Sequence, residues 1–248
     1  MEDRSRRFLG KVLVAVASFA AAVAVGLQGA GVWDASPGEQ VAVAVAVALL
    51  ALGSSVGAAV SELSAQRSDE RRTKVAFILE ALGFAVQDAT GIDFRALGLA
   101  AYVLERPLFR RQERLVRLHR VRPRASPGVS GVDWHPGKGV IGMCVVEGRD
   151  IGYDISELDA DIAGTTREHW AALSDDERLG LTYDEWLLLR EKFGVVVATP
   201  VVRERSGRSS TVGCVALDGP AGQIDVLFSD EVRAQLQSAA TSLERVVL

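Results

Sequence analysis

The first sixty residues carry two long stretches in which no position is charged: 12–33, between Lys11 and Asp34, and 40–61, between Glu39 and Glu62. As helices, each would reach roughly 33 Å, enough for a hydrocarbon core of about 30 Å. In the second, Val and Ala alternate from Val41, which is the period of a strand. Both parities are apolar, however, so no wet face results. A strand in lipid would also leave its backbone polar groups unpaired, so the run is read as a helix. Its six Val and three Leu favour insertion by roughly 4 kcal/mol. A buried hairpin and a cleaved leader after Arg4, Arg6 and Arg7 are the alternatives; the length of the runs and their immediate succession favour two spans.

Beyond them the periodicity changes. Ser61 to about Asp88 reads as a helix, with Val75, Ile78, Leu79, Leu82 and Val86 at three- and four-residue steps and Gly91 as its stop. Its first part, 62–74, is polar all round and suits a connector. Five β-branched or apolar runs then predict strands: 97–104, 115–121, 140–146, 195–202 and 211–217. Between the third and fourth, residues 152–193 carry three capping-box pairs, Thr165/Glu168, Ser174/Glu177 and Thr182/Glu185, which predict three short helices. A last helix is expected from Ser229 to Leu248, with Val232, Leu236, Leu243 and Val247 as its apolar positions. The fold class is α+β: a membrane hairpin (1–61), a connector helix (62–74) and an antiparallel sheet flanked by helices (75–248).

Charge orients the hairpin. Arg4, Arg6, Arg7 and Lys11 precede the first run, and Arg67, Arg71, Arg72 and Lys74 follow the second. The loop between has acids and no Lys or Arg. The positive-inside bias predicts a multi-pass protein of the inner (cytoplasmic) membrane with both termini cytoplasmic. Gly26 in the first run and Gly53 and Gly57 in the second lie at small-residue spacing. They are read as helix-packing faces, within the hairpin or between subunits of a homo-oligomer.

A net charge of −4 gives no global reason to expect nucleic acid. Arg exceeds Lys by 24 to 4, a bias typical of GC-rich bacterial genomes. The stretch 105–124 holds eight Arg against two Glu. It reads either as a contact for anionic lipid or a phosphate-bearing ligand, or as a solvated strand face with Arg120, Arg122 and Arg124 pointing outward; the second is favoured. Gly137, Gly139 and Gly142 form G-x-G-x-x-G, but a Pro-rich loop precedes it and a strand-like run follows, so no dinucleotide site is expected. Cys144, Cys214 and the three histidines show no metal spacing, and no nucleophile–base set stands out. No cofactor, metal or enzymatic activity is expected.

The segments GKGVIGMCVVEGRDIGYD (137–154), VVVATPVV (195–202) with VGCVALDGP (212–220), and FSDEVRAQLQSAA (228–240) resemble the loop, hairpin and closing helix of the GAF domain family, over about 73–248. That resemblance implies an antiparallel sheet with helices on one face and a small-molecule pocket on the other. The family's cyclic-nucleotide and bilin signatures are absent, so neither ligand carries over. The excursion would lie over such a pocket. Trp134, Tyr153, Trp170, Tyr183 and Trp186 would then supply stacking surfaces for a planar ligand, and Arg149, Arg167 or Arg178 could meet its phosphates. The expected function is a membrane-anchored sensor of a small molecule, a nucleotide among the candidates, acting through a partner protein or through oligomerisation of its spans. A two-span membrane-disrupting effector of a nucleotide-signalled anti-phage system and a ligandless scaffold are the alternatives.

Overall fold

A computed structural model of the chain describes Gly26 and residues 36–106, 112–123, 131–157, 162, 165–190 and 192–247; for much of 37–65, and for Val247, it describes the backbone alone. The chain divides into two units, 1–69 and 70–248. Helix α1, Pro37–Thr90, includes the alternating Val/Ala run, which is therefore helical rather than extended. Among the described residues no helix is long and apolar enough to cross a membrane. The expected spans fall mostly outside those residues: the first except for Gly26, the second in nearly all its side chains, including the surroundings of Gly53 and Gly57.

The end of α1 follows from local chemistry. Gly91 takes a left-handed φ of 72° and its N–H donates to the Gln87 carbonyl at 2.8 Å. The Gln87 side chain turns back to accept from the Phe94 N–H at 2.7 Å, which directs the chain into the sheet. Strands β1 (Gly98–Glu105), β2 (Arg114–Val121), β3 (Ile151–Asp154), β4 (Val195–Arg205) and β5 (Arg208–Gly219) form one antiparallel sheet in the order β2-β1-β5-β4-β3.

Each face of the sheet is covered. On one, Val75, Leu79, Leu82 and Val86 of α1 and Val232, Leu236 and Leu243 of the last helix (Asp230–Val247) pack on Leu97, Leu99, Val197, Val215 and Leu217, all of them buried. Each fully buried aliphatic side chain here contributes about 1.5–3 kcal/mol to cohesion. The heptad-like stepping of both helices was legible in the sequence, and the strands opposite them lie within three residues of the expected bounds.

The other face departs from expectation. Residues 140–146, expected as the third strand, form helix α2 (Gly139–Glu147). Its Val140, Ile141, Cys144 and Val145 are buried and its residue 142 lies against backbone, so most positions are apolar and no helical period shows. A Cβ on Gly142 would fall 2.4 Å from the His135 carbonyl oxygen, so the first turn of α2 can seat on its own loop only with glycine there. The third strand is β3, at the start of the segment expected to hold three short helices. Its buried Asp154 accepts from the Ser156 N–H at 2.9 Å, the Ser156 hydroxyl, and the Gly222 N–H at 2.6 Å. These bonds tie the sheet edge to the turn after β5.

Of the three expected capping boxes, one forms as drawn: Thr182 and Glu185 reciprocally cap α4 (Tyr183–Leu189). Helix α3 (Arg167–Ala172) is capped by Thr166 rather than Thr165. Ser174 and Glu177 exchange the expected hydrogen bonds, at 2.8 and 3.3 Å, but close a turn with Leu179 and Gly180 at positive φ instead of starting a helix. Helix α5 (Ile224–Leu227) leads to α6 (Asp230–Val247), where Ser229 accepts from the Val232 N–H at 3.4 Å.

Candidate functional site

The site begins with a break in alternation. Ala101 pairs with His119, but Tyr102 pairs with Arg117, so Leu118 is an extra residue in β2. In a regular strand residues 117 and 120 would face opposite sides. The bulge puts Arg117, across from Tyr102, on the same face as Arg120, across from Ala100. Leu118 packs into the core of the other face instead. Next to this pair, β5 sets Ala216 beside Ala100 and Cys214 beside Tyr102. Two alanines at the centre of a sheet leave room, and here they floor a partly open cavity of about 70 Å³. At about 10–15 Å³ per water, that is space for five or six waters or a small ring.

The roof comes from the helical side. Trp134 is held by its carbonyl, which accepts from the Leu115 N–H at 2.8 Å, and it lies so close to Gly139 that a Cβ there would stand 2.7 Å from the indole ring. Trp186 projects from α4 and stacks on Trp170 at 5.4 Å and 26°. Trp170 is anchored in turn by its Nε1–H, which donates to the Leu181 carbonyl at 3.3 Å, and by the edge of Tyr183 at 6.1 Å. Lys138 bonds Glu185 at 2.8 Å, tying the loop before α2 to the cap of α4. Burial works against the Glu185 carboxylate, yet bonds from Lys138 and Thr182 together hold its pKa below the usual value.

The wall is charged. Asp218 of β5 meets the Arg122 Nη2 at 3.0 Å, with both side chains largely buried. Burial pushes the Asp218 carboxyl up despite the opposing fields of Arg122 and Arg120. Burial lowers the Arg120 pKa; Asp218 resists this, while Arg122 and Arg117 add to it by repulsion. The Arg122 guanidinium also lies over the Phe193 ring at 5.7 Å. Tyr102 is pushed up to about 12, by burial first and then by Cys214, against the pull of Arg117 and Arg120; the Arg117 side chain is in hydrogen-bonding reach of its phenol. The phenol is therefore neutral at physiological pH and able to donate or accept.

Two of the expected site residues, Trp134 and Trp186, line this cavity. Trp170 and Tyr183 stand behind Trp186 as its support, the Tyr183 hydroxyl donating to the Thr165 carbonyl at 3.1 Å. Arg167 is on the surface, paired with Asp184 at 2.6 Å and lying over the Tyr183 ring. Arg149 pairs with Glu147 at 2.5 Å beside a separate groove, and Tyr153 packs against the buried residues around α2 without lining the cavity. Sequence reasoning missed Tyr102, Arg117, Arg120 and Asp218. The arginine-rich stretch was the signal for two of them, but Arg120 and Arg122 were read as solvent-facing, and both are largely drawn in toward Asp218.

Both cysteines are buried and free, and burial raises their pKa values, that of Cys144 to about 12. Neither thiol is poised as a thiolate nucleophile. Among the described residues no cluster of three His, Cys, Asp or Glu is placed to hold a metal.

No protein-family model and no curated protein matches the chain. Among solved structures it is similar to a type II free methionine-R-sulfoxide reductase from Thermoplasma acidophilum, at 16% identity over 70% of this chain and 94% of that one, with a TM-score of 0.39. It is also similar to a mutated NreA protein from Staphylococcus aureus, described with a nitrate binding site (16% identity, 59% and 85% covered, TM-score 0.36). A third similarity is to a GAF domain, at 13% identity over 70% of this chain and 89% of that one, with a TM-score of 0.39. At these values the similarities assign neither a ligand nor an activity.

Proposed function

We propose that residues 70–248 form a GAF-like sensing domain whose ligand is a small molecule bound between the sheet and the tryptophan roof. The observation that carries this is the cavity itself: two alanines floor it, Trp134 and Trp186 roof it, and few convergent polar groups line it. Asp218, Arg120 and Tyr102 all hold shifted pKa values on one wall, which is common at binding sites. Burial holds both thiols protonated, which favours binding over thiol catalysis.

In this reading the hairpin in residues 1–61 anchors the domain to the inner membrane with the sensor in the cytoplasm, as the charge distribution suggests. The output is a partner protein or oligomerisation of the spans. The same strands, β1 and β5, carry the cavity floor on one side and the buried seat of α1 residues 75–86 on the other. Binding that reshapes the floor thus has a short mechanical path to that helix.

The test has two arms. Small molecules retained by the gently purified full-length chain are identified by mass spectrometry, and each candidate, nucleotides included, is checked by thermal shift. Saturable stabilisation supports the reading; a chain that no retained or added molecule stabilises argues for a ligandless scaffold. Separately, the full-length chain should stay with membranes through an alkaline wash. Recovery in the aqueous fraction would remove the anchor from the proposal.

A further inference from the structure

Given the ligand-binding reading above, on which this step rests, the charge of the wall narrows the chemistry. Two arginines, Arg117 and Arg120, line one end of the cavity, and Arg122 reaches Asp218 behind it. Asp218 is the single acid among the described residues that line it, and that carboxylate stands 3.0 Å from Arg122. Lys138 is matched by Glu185. With Asp218 engaged by Arg122, the Arg117 guanidinium brings positive charge to the cavity beside Arg120. Arg117 presents a planar fork of five N–H donors, and the neutral Tyr102 phenol in its reach can engage no more than a small part of it. The bulge at Leu118 is what aims that fork inward.

The rest of the lining is apolar and aromatic. A hydrophilic ion such as phosphate would leave the tryptophan roof and alanine floor unfilled, whereas a neutral apolar molecule would leave donors of the Arg117 fork without an acceptor. We propose that the ligand is a small organic acid. Its planar apolar body lies between Trp186, Trp134 and the floor at Ala100 and Ala216, and its single anionic group accepts hydrogen bonds from the Arg117 fork beside Arg120.

Benzoate, benzamide and benzamidine share one shape and carry negative, zero and positive charge, and indole adds a neutral ring alone. Each is titrated into the full-length chain and followed by tryptophan fluorescence. The proposal expects saturable quenching by benzoate, roughly tenfold or more weaker binding of benzamide, and none of benzamidine. R117Q should bring benzoate down to the benzamide level without changing benzamide. R117K should recover part of the loss, because it restores charge but not the fork. R245Q, on the exposed last turn of α6, should leave all four unchanged. Benzamide or benzamidine binding as tightly as benzoate overturns the anionic assignment and leaves the cavity reading standing, as does indole saturating where benzoate does not. Failure of all four probes overturns both.

Discussion

Gly98 lies directly across the β1–β5 ladder from Asp218, and a Cβ at position 98 would stand 2.3 Å from the Asp218 carboxylate. The contact is possible only because residue 98 has no side chain. It lets a buried acid occupy the sheet surface at the cavity edge, where Arg122 reaches it at 3.0 Å. G98A should therefore push the carboxylate away from its partner and lower unfolding free energy by about 1–3 kcal/mol in urea denaturation. A G98A protein as stable as the parent would show that Asp218 can move without cost.

Asp218 should also leave a signature with an uncommon sign. Its folded pKa is raised by burial, so its contribution to stability is fully present below the ordinary carboxylate range and is lost as pH rises through the raised value. The stability of the parent minus that of D218N, followed by chemical denaturation from acid to neutral pH, should fall as pH increases. A difference that grows with pH would mean that Arg122 outweighs burial.

Glu185 should behave in the opposite way. Its pKa is depressed, so its contribution is present above the ordinary range and disappears as pH falls through the depressed value. E185Q weakens the pairing with Lys138 and the reciprocal cap on Thr182, and should cost about 1–2 kcal/mol at neutral pH. The gap should close in acid, where the parent carboxylate is protonated.

Tyr102 gives a spectroscopic handle. The chain has three tyrosines, and the phenolate absorbance of one should emerge only at about pH 12. Y102F should delete that late step. R117Q should move it still higher, since Arg117 favours the phenolate. A late step that survives in Y102F would place the perturbed phenol elsewhere.

Elements with a clear period were legible in the sequence. The α1 segment at 75–86 and α6 keep their apolar residues on one stripe because each is half wet, whereas β4 and β5 stand out as apolar, β-branched runs because the sheet is covered on both faces there. Residues 140–146 were not legible as a helix because α2 is covered on most sides, which erases the polar positions that reveal a period. The strand β3 is four residues long, too short to display alternation.

The site was legible in part, for related reasons. Trp134 and Trp186 stood out as aromatics near an excursion. Trp170, with the same chemistry, serves as the backing of Trp186, and nothing local in the sequence distinguishes ligand surface from support. Arg117 and Arg120 were hidden by the bulge: strict alternation puts them on opposite faces, and only the register slip at Leu118 gathers them. Asp218 pairs with an arginine almost a hundred residues earlier, through a strand order that no local pattern encodes.

The most direct measurement fills the proposed ligand space. Ala216 is buried on the cavity floor, and a leucine there would project into volume that is already empty. A216L should fold with stability within about 1 kcal/mol of the parent, since it fills space rather than displacing neighbours. It should also lose the ligand-induced rise in melting temperature that the parent shows. If A216L is stabilised by the same ligand to the same extent, the cavity between the sheet and the tryptophans is not where that molecule binds.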